Sequence, residues 1–173
     1  PLTVSRTDAA AGWRTGVALT HAGWKGAPTP VMQARLEAKD NTITYARGAA
    51  LTEWYVNDEK GLKSWYRFEK LPAGGPPSVA ELELRMTVTG NAKAVLLPDS
   101  SGVQFEGPSG AAVLRYGKLL TVDAAGRNLP CRYELRNEER GQVLSIVVAA
   151  EGARYPVTVD PLAESPAGII FGD

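Results

Sequence analysis

The chain has 173 residues, of which 44% are hydrophobic and 22% are charged, so the composition favours one folded domain and argues against disorder. Nineteen basic and nineteen acidic side chains give a formal net charge of zero, so no nucleic-acid partner is expected. No run of about 18 apolar residues occurs, so no insertion into a membrane is expected either.

Eighteen glycines and twelve prolines separate short segments in which apolar and polar residues mostly alternate. This pattern is typical of an all-β sandwich or barrel. The first predicted strand covers residues 13–19. Residues 31–38 are compatible with a helix, but Asp40 and Asn41 follow directly and the stretch 42–45 is rich in strand-forming residues. We therefore expect two strands joined by a tight turn in this region.

The most distinctive stretch is LTEWYVNDEKGLKSWYRFE, residues 51–69, which holds five of the 13 aromatic residues. It predicts a β-hairpin with a turn at residues 57–61. On the second strand, alternation places Tyr66 and Phe68 on the core face; on the first strand, Trp54 lies on the face opposite to Glu53. The expected outer face carries four candidate interaction residues: Tyr55, Lys63, Trp65 and Arg67.

The clearest single strand covers residues 80–89, after the proline- and glycine-rich loop at 72–77. Its apolar positions alternate strictly with polar ones, which predicts one buried face and one solvated face. The expected buried set is Ala80, Leu82, Leu84, Met86 and Val88. Glu83 belongs to the polar set, so we expect it to face water.

Further short strands are expected at 94–97, 103–105, 113–116, 119–122, 132–135, 143–149 and 155–161. The stretch 143–149 is apolar enough to be buried on both faces. Roughly a dozen short strands predict an antiparallel, two-sheet β-sandwich. We place the sandwich domain at residues 12–161, with an N-terminal extension at 1–11 and an exit segment at 162–173.

Few residues carry the signature of a catalytic or metal site. The single histidine, His21, argues against a His-rich metal site, and no GxSxG motif accompanies it to indicate a serine hydrolase. The single cysteine, Cys131, excludes an internal disulfide and a cysteine-rich zinc site. It is expected to pack as a small hydrophobe, with a reactive thiol as the alternative.

Acidic residues offer only weak alternatives. Residues 57–59 and 99–101 lack the DxDxDG spacing of a calcium loop. Paired carboxylates for glycoside hydrolysis would have to come from a small set: Glu53, Glu69, Glu81 and Glu83. A solvated sheet surface produces the same pattern, so we expect no enzyme, no cofactor and no metal. Exposed aromatic residues beside an arginine are typical of protein interfaces and of sugar-stacking platforms, unless another part of the fold covers them.

Three stretches of this sequence match a known pattern: LTEWYVNDEKGLKSWYRFEKLPAGGP, LRYGKLLTVDAAGRNLPCRYEL and ARYPVTVDPLAES. They resemble a non-catalytic β-rich domain that precedes FG-GAP (integrin-α-type) β-propeller repeats in large bacterial secreted or cell-surface proteins. The shared features are a hairpin at 54–62, which reads WYVNDEKGL in this chain, and a Y-P-V-x-V-D-P strand at 155–161. The ending IIFGD is similar to the opening of such a repeat. The resemblance covers residue 12 onward.

This resemblance implies an extracellular or cell-surface location and a structural or adhesion-type role in a multidomain parent. The resemblance assigns no catalytic residue to this chain. The expected partner is a protein, either an adjacent domain of the parent chain or an assembly subunit. The alternative function is a carbohydrate-binding module that uses the surface aromatic residues of the hairpin.

Overall fold

A computed structural model describes residues 2–6, 12–58, 61–74, 78–98 and 100–164 of the chain. Within these residues the chain forms 14 strands and no helix. The strands are β1 Leu2–Arg6, β2 Trp13–Trp24, β3 Thr29–Pro30, β4 Arg35–Lys39, β5 Thr42–Arg47, β6 Leu51–Asp58, β7 Gly61–Phe68, β8 Glu81–Gly90, β9 Lys93–Leu96, β10 Val103–Glu106, β11 Ala112–Val122, β12 Cys131–Glu138, β13 Gly141–Ala149 and β14 Val157–Glu164.

The strands form two antiparallel sheets. Sheet A has six strands in the order β1-β2-β8-β13-β12, with the two-residue β3 also paired to β2. Sheet B has eight strands in the order β4-β5-β6-β7-β14-β11-β10-β9. The predicted all-β, two-sheet architecture is therefore confirmed. No helix long and apolar enough to cross a bilayer occurs among the described residues.

The core lies between the sheets, and β8 shows how the sequence builds it. Leu82, Leu84, Met86 and Val88 are all buried, as the alternating pattern predicts. Their neighbours on β13 fill the same layer, because every second residue of an antiparallel strand points to the same side. Complete burial of one such aliphatic side chain contributes about 1.5–3 kcal/mol. The hydrophobic period of two thus builds the buried layer between the sheets.

The prediction of two strands at 31–45 is confirmed by the hairpin of β4 and β5. Lys39 pairs with Thr42, so Asp40 and Asn41 form a two-residue connection. Asp40 has a φ of 52°, in the left-handed region that a tight hairpin turn requires and that aspartate tolerates better than most residues. The turn chemistry outweighs the helical pattern at this position.

The two ends of the described chain both pair with sheet strands. Leu2–Arg6, which lies in the predicted N-terminal extension, forms β1 at the edge of sheet A. Val157–Glu164 forms β14 in the interior of sheet B, between β7 and β11. The predicted domain boundaries stay a prediction, and most of the predicted exit segment, residues 165–173, lies outside the described residues.

Candidate interaction surface

The hairpin of β6 and β7 carries the candidate residues, and its register decides which face each occupies. A turn at residues 57–61 would place Val56 opposite Leu62. The structure instead pairs Val56 with Lys63, and Asp58 with Gly61. Because side chains alternate with a period of two, this shift of one residue moves the whole of β6 to the other face.

The placement of Tyr55 on the outer face is therefore wrong. Its side chain is only 5% exposed, and it packs in the core with Leu51 and Tyr66. Trp54 takes its place on the outer face, directly opposite Trp65. The turn length was the missing information, because the aromatic residues alone fit either register.

The same register buries a carboxylate, Glu53, which is 1% exposed. Arg47 donates a hydrogen bond from Nε to Glu53 Oε2 at 2.8 Å, and the hydroxyl of Tyr55 donates to Glu53 Oε1. Burial first, and then the neighbouring hydroxyl of Tyr66 and the carboxylate of Glu53, raise the pKa of Tyr55 well above its ordinary range. Tyr55 thus stays protonated and donates to the acid. This buried cluster satisfies its own polar groups inside the core.

On the outer face of sheet B, four side chains from neighbouring strands form a row across the sheet. We call this set the tryptophan row: Trp54 of β6, Trp65 of β7, Asp160 of β14 and Leu120 of β11. Trp54 is paired with Trp65, and Leu120 with Asp160. Both tryptophans are half-buried, and Leu120 is 44% exposed. The other two tryptophans, Trp13 and Trp24, are buried in the core.

Arg67 fixes one end of the row. Its guanidinium lies over the ring of Trp54, 5.0 Å from the ring centroid, a cation–π arrangement. Its Nε donates to Glu69 Oε1 at 2.9 Å, and the hydroxyl of Thr52 donates to the same oxygen at 2.7 Å. Arg67 is on the expected outer face, and it is held in place by two neighbours, Trp54 and Glu69. One face of Trp54 is therefore already covered within the chain.

Asp160 is the polar member of the row. Burial raises its pKa, while a hydrogen bond from Trp65 and the positive charge of Lys63 lower it; the net direction is upward. Its Oδ1 is buried and accepts no hydrogen bond from any residue that the structure describes. Lys63 and Trp65 are thus both on the expected outer face, and both act on the same carboxyl group. Asp160 and Leu120 were not among the predicted candidates because their place in the row depends on strand order. Trp54 was not among them because its face depends on the register of the hairpin.

The outer face of sheet A is built from charged residues. Glu83, expected to face water, is only 1% exposed, so that expectation is wrong. The hydroxyl of Ser145 donates to Glu83 Oε1 at 2.7 Å, Arg85 Nε lies 3.1 Å from the same oxygen, and Arg136 Nη2 lies 3.4 Å from it. Alternation places Glu83 on the outer side correctly, but the long side chains of Arg85 on its own strand and Arg136 on β12 cover it.

A second cluster continues this coverage along the same face. Lys25 Nζ lies 2.5 Å from Glu134 Oε1 and 3.5 Å from Glu81 Oε2. Arg132 donates to Glu81 Oε1 at 2.7 Å and to Glu134 Oε1 at 2.9 Å. Beneath them Val147 is completely buried, which confirms the prediction that residues 143–149 are buried on both faces. We call all these groups the charged network: Lys25, Glu81, Glu83, Arg85, Arg132, Glu134 and Arg136.

The charged network lowers the pKa of its carboxyl groups. For Glu81 the largest cause is the hydrogen bond from Arg132. For Glu83 burial acts upward, but the hydrogen bonds from Arg85 and Ser145 together with the charges of Arg85 and Arg136 outweigh it. Both carboxylates are therefore held ionised. A glycosidase needs one carboxylic acid that stays protonated near neutral pH, and neither of these residues meets that requirement.

The remaining candidates have ordinary surroundings. His21 lies on β2 with its Nδ1 3.1 Å from the hydroxyl of Thr20. Cys131 is a half-buried free thiol, with Sγ 3.9 Å from the carbonyl oxygen of Leu119. The described residues contain no group of three or more His, Cys, Asp or Glu side chains placed to hold a metal ion. The weak calcium candidates 57–59 and 99–101 each fall partly outside the described residues.

Comparisons with protein-family models, with curated proteins and with solved structures give no match to this chain. The resemblance to domains that precede FG-GAP repeats therefore stays a prediction that rests on its motifs. Any proposal about the function of this chain therefore rests on the geometry of its two outer faces.

Proposed function

We propose that this domain is a non-catalytic interaction module that docks against a neighbouring protein domain or subunit through the tryptophan row. The observation that carries the proposal is the position of two half-buried tryptophans and an exposed leucine on one face of sheet B. Tryptophan and arginine are enriched at the centres of protein interfaces, because they combine a large apolar area with a hydrogen-bonding group.

The exposed part of the row indicates what the partner must offer. Asp160 Oδ1 has no hydrogen-bond donor among the described residues, but it is already closed off from solvent within the chain. A partner that covers the row would therefore contact Trp65 and Leu120 rather than this oxygen, and its apolar side chains would lie over them. The partner surface is thus expected to be mainly apolar.

The alternative, a carbohydrate-binding module, has weaker support. A sugar ring stacks on an open aromatic face, whereas Arg67 already lies over the ring of Trp54. Only Trp65 remains as a platform, and its indole is tied to Asp160. A glycan array is the direct test of this alternative, and specific glycan binding that Trp65→Ala abolishes would favour it over protein docking.

The resemblance to domains that precede FG-GAP repeats suggests the kind of protein in which this module would act. It places the module in a secreted or cell-surface bacterial protein, in which the sandwich would support or present the next domain. In that setting the partner is the adjacent domain of the same parent chain, and the role is structural or adhesive.

Acrylamide quenching of tryptophan fluorescence tests docking, because Trp13 and Trp24 are buried and only Trp54 and Trp65 are accessible to the quencher. We expect the protein encoded by the complete reading frame, or its complex with an assembly subunit, to be quenched less than this chain alone. In the Trp54→Phe/Trp65→Phe variant that difference should disappear. Equal quenching of the wild-type chain alone and in its assembled form would contradict docking through this face.

A further inference from the structure

The two free edges of sheet B differ in how their backbone is covered. At one edge lies β9, where the side chain of Gln142 acts as a neighbouring strand. Its Oε1 accepts the N–H of Ala94 at 2.7 Å, and its Nε2 donates to the carbonyl oxygen of Ala94 at 2.9 Å. The edge is thus closed by a side-chain amide at the centre of a strand of four residues.

The opposite edge, β4, has no such cover from any residue that the structure describes. All five of its residues are exposed, and in the described part of the chain its backbone hydrogen bonds go only to β5. Lys39 and Thr42 flank a two-residue turn and form a hydrogen-bonded pair, so alternate residues from Lys39 bond to β5. Leu36 and Ala38 therefore direct their N–H and C=O groups outward. No proline or bulge interrupts this edge.

The same edge exposes apolar side chains. Leu36 is paired with Tyr45, and Ala38 with Ile43, so these four share the inner side of sheet B. Leu36 is 56% exposed and Ile43 is 39% exposed, because this part of the sheet extends past the core. An open backbone edge and exposed apolar side chains on one strand are both features of sites that accept another strand.

We propose that β4 pairs antiparallel with β4 of a second copy of this chain, centred on Leu36, so that two copies of sheet B form one continuous sheet. The charges on the other face of the strand support this occupant. In this register Arg35 lies opposite Glu37 of the second copy, and Glu37 lies opposite Arg35 of the second copy. Opposite charges in directly paired positions stabilise a sheet, so the strand is complementary to itself.

Other registers of the same pairing are worse. Centring on Glu37 places two glutamates opposite each other and sets Arg35 opposite Lys39, which joins like charges. Centring on Ala38 places the apolar Leu36 opposite Asp40 of the turn. Centring on Leu36 instead brings the two Leu36 side chains together and removes both from water. Apolar contact and charge pairing thus select the same register.

The surface buried by this strand pairing is small, so the association between the two copies is expected to be weak. Stable protein interfaces bury about 1,200–2,000 Å² in total, and one pair of five-residue strands buries less than that. We therefore expect a dimer that forms as concentration rises and dissociates on dilution. This inference is independent of docking through the tryptophan row, which lies on the outer face of other strands.

Sedimentation velocity over a concentration series tests the inference. The wild-type chain should shift from the monomer toward twice its mass as the concentration rises. Arg35→Glu and Glu37→Arg should each stay monomeric, because each places like charges opposite each other in both pairs. An equimolar mixture of these two variants should restore association, since every pair again joins a glutamate to an arginine.

Two further variants fix the register. The double variant Arg35→Glu/Glu37→Arg should associate like the wild type, because it exchanges the two charges and each pair still joins a glutamate to an arginine. Lys39→Glu is the matched control: Lys39 has no charged partner in the proposed register, so this variant should also associate like the wild type. A wild-type chain that is monomeric at every concentration, or a mixture that fails to associate, would overturn the proposal.

Discussion

The outward-facing side chains of the two sheets are covered in different ways. On sheet A, four cations and three carboxylates cover the outward-facing side chains of β13, and each carboxylate is bound by at least two partners. On sheet B, the tryptophan row leaves Trp54 and Trp65 half-buried and Leu120 44% exposed. A face covered by ion pairs offers little apolar surface to a partner, whereas the tryptophan row offers parts of two indole rings and a leucine. This difference is why we propose the outer face of sheet B, and not that of sheet A, for docking.

Leu84→Ala sets the reference for both faces, because it removes core packing and touches neither face. The side chain is completely buried between the sheets. We expect a loss of about 2–5 kcal/mol in the free energy of unfolding. Urea denaturation measures it. A loss below about 1 kcal/mol would mean that the site collapses around the deletion and that the core is looser than the burial indicates.

Glu83→Ala tests whether the charged network stabilises sheet A. It leaves the buried hydroxyl of Ser145 without its acceptor, so we expect a loss of about 1–3 kcal/mol in unfolding free energy. Glu138→Ala is the control: Glu138 lies 4.0 Å from Arg136 and its side chain is 54% exposed, so its removal should cost less than about 0.5 kcal/mol. Equal losses for the two variants would show that the network contributes no more than ordinary surface charges.

The Glu83 contribution should also depend on pH in a defined direction. Its pKa in the folded protein is lowered from 4.5, so its contribution is fully present above that value and is lost as the pH falls through the lower, folded-state pKa. The difference in unfolding free energy between wild type and Glu83→Ala should therefore narrow in acid. A difference that stays constant down to the lowest accessible pH would contradict ionisation as its source.

Arg67→Ala tests the cover over the tryptophan row. It removes the cation from the ring of Trp54, and we expect a loss of about 0.5–1 kcal/mol in unfolding free energy. Acrylamide should quench the variant more strongly than the wild type, because Trp54 becomes more accessible. Unchanged quenching would show that Arg67 does not shield the ring in solution.

Asp160→Asn should give the smallest effect, and one of opposite sign. Burial raises the pKa of Asp160, so the ionised form is disfavoured in the folded protein and stability falls as the pH rises from the ordinary value of 3.8 through the folded-state pKa. The variant keeps an oxygen that accepts from Trp65 but has no charge. We expect it to be more stable than wild type at pH 7 and equal to it in strong acid. A less stable variant at pH 7 would mean that the charge of Lys63 outweighs burial.

The alternation of β8 and the apolar run of β13 were sufficient to predict the sandwich, because burial with a period of two follows from sequence alone. The faces were harder to assign. Tyr55 and Trp54 exchange places when a turn changes by one residue, and composition does not fix turn length. Glu83 alternates as a solvated residue does, yet it is buried by Arg85 of its own strand together with Ser145 and Arg136, which lie far away in sequence. Asp160 joins Trp65 only because β14 inserts beside β7.

The interior position of β14 has a consequence for how the protein is made. Until residues 157–164 leave the ribosome, β7 and β11 lack the strand that joins them, and sheet B exists as two separate halves with open edges. A nascent chain that ends just before Val157 is then at its most exposed to wrong strand pairing. Completion of the sheet is thus coupled to the last strand to be synthesised in the described chain, and a truncation just before Val157 should aggregate rather than fold.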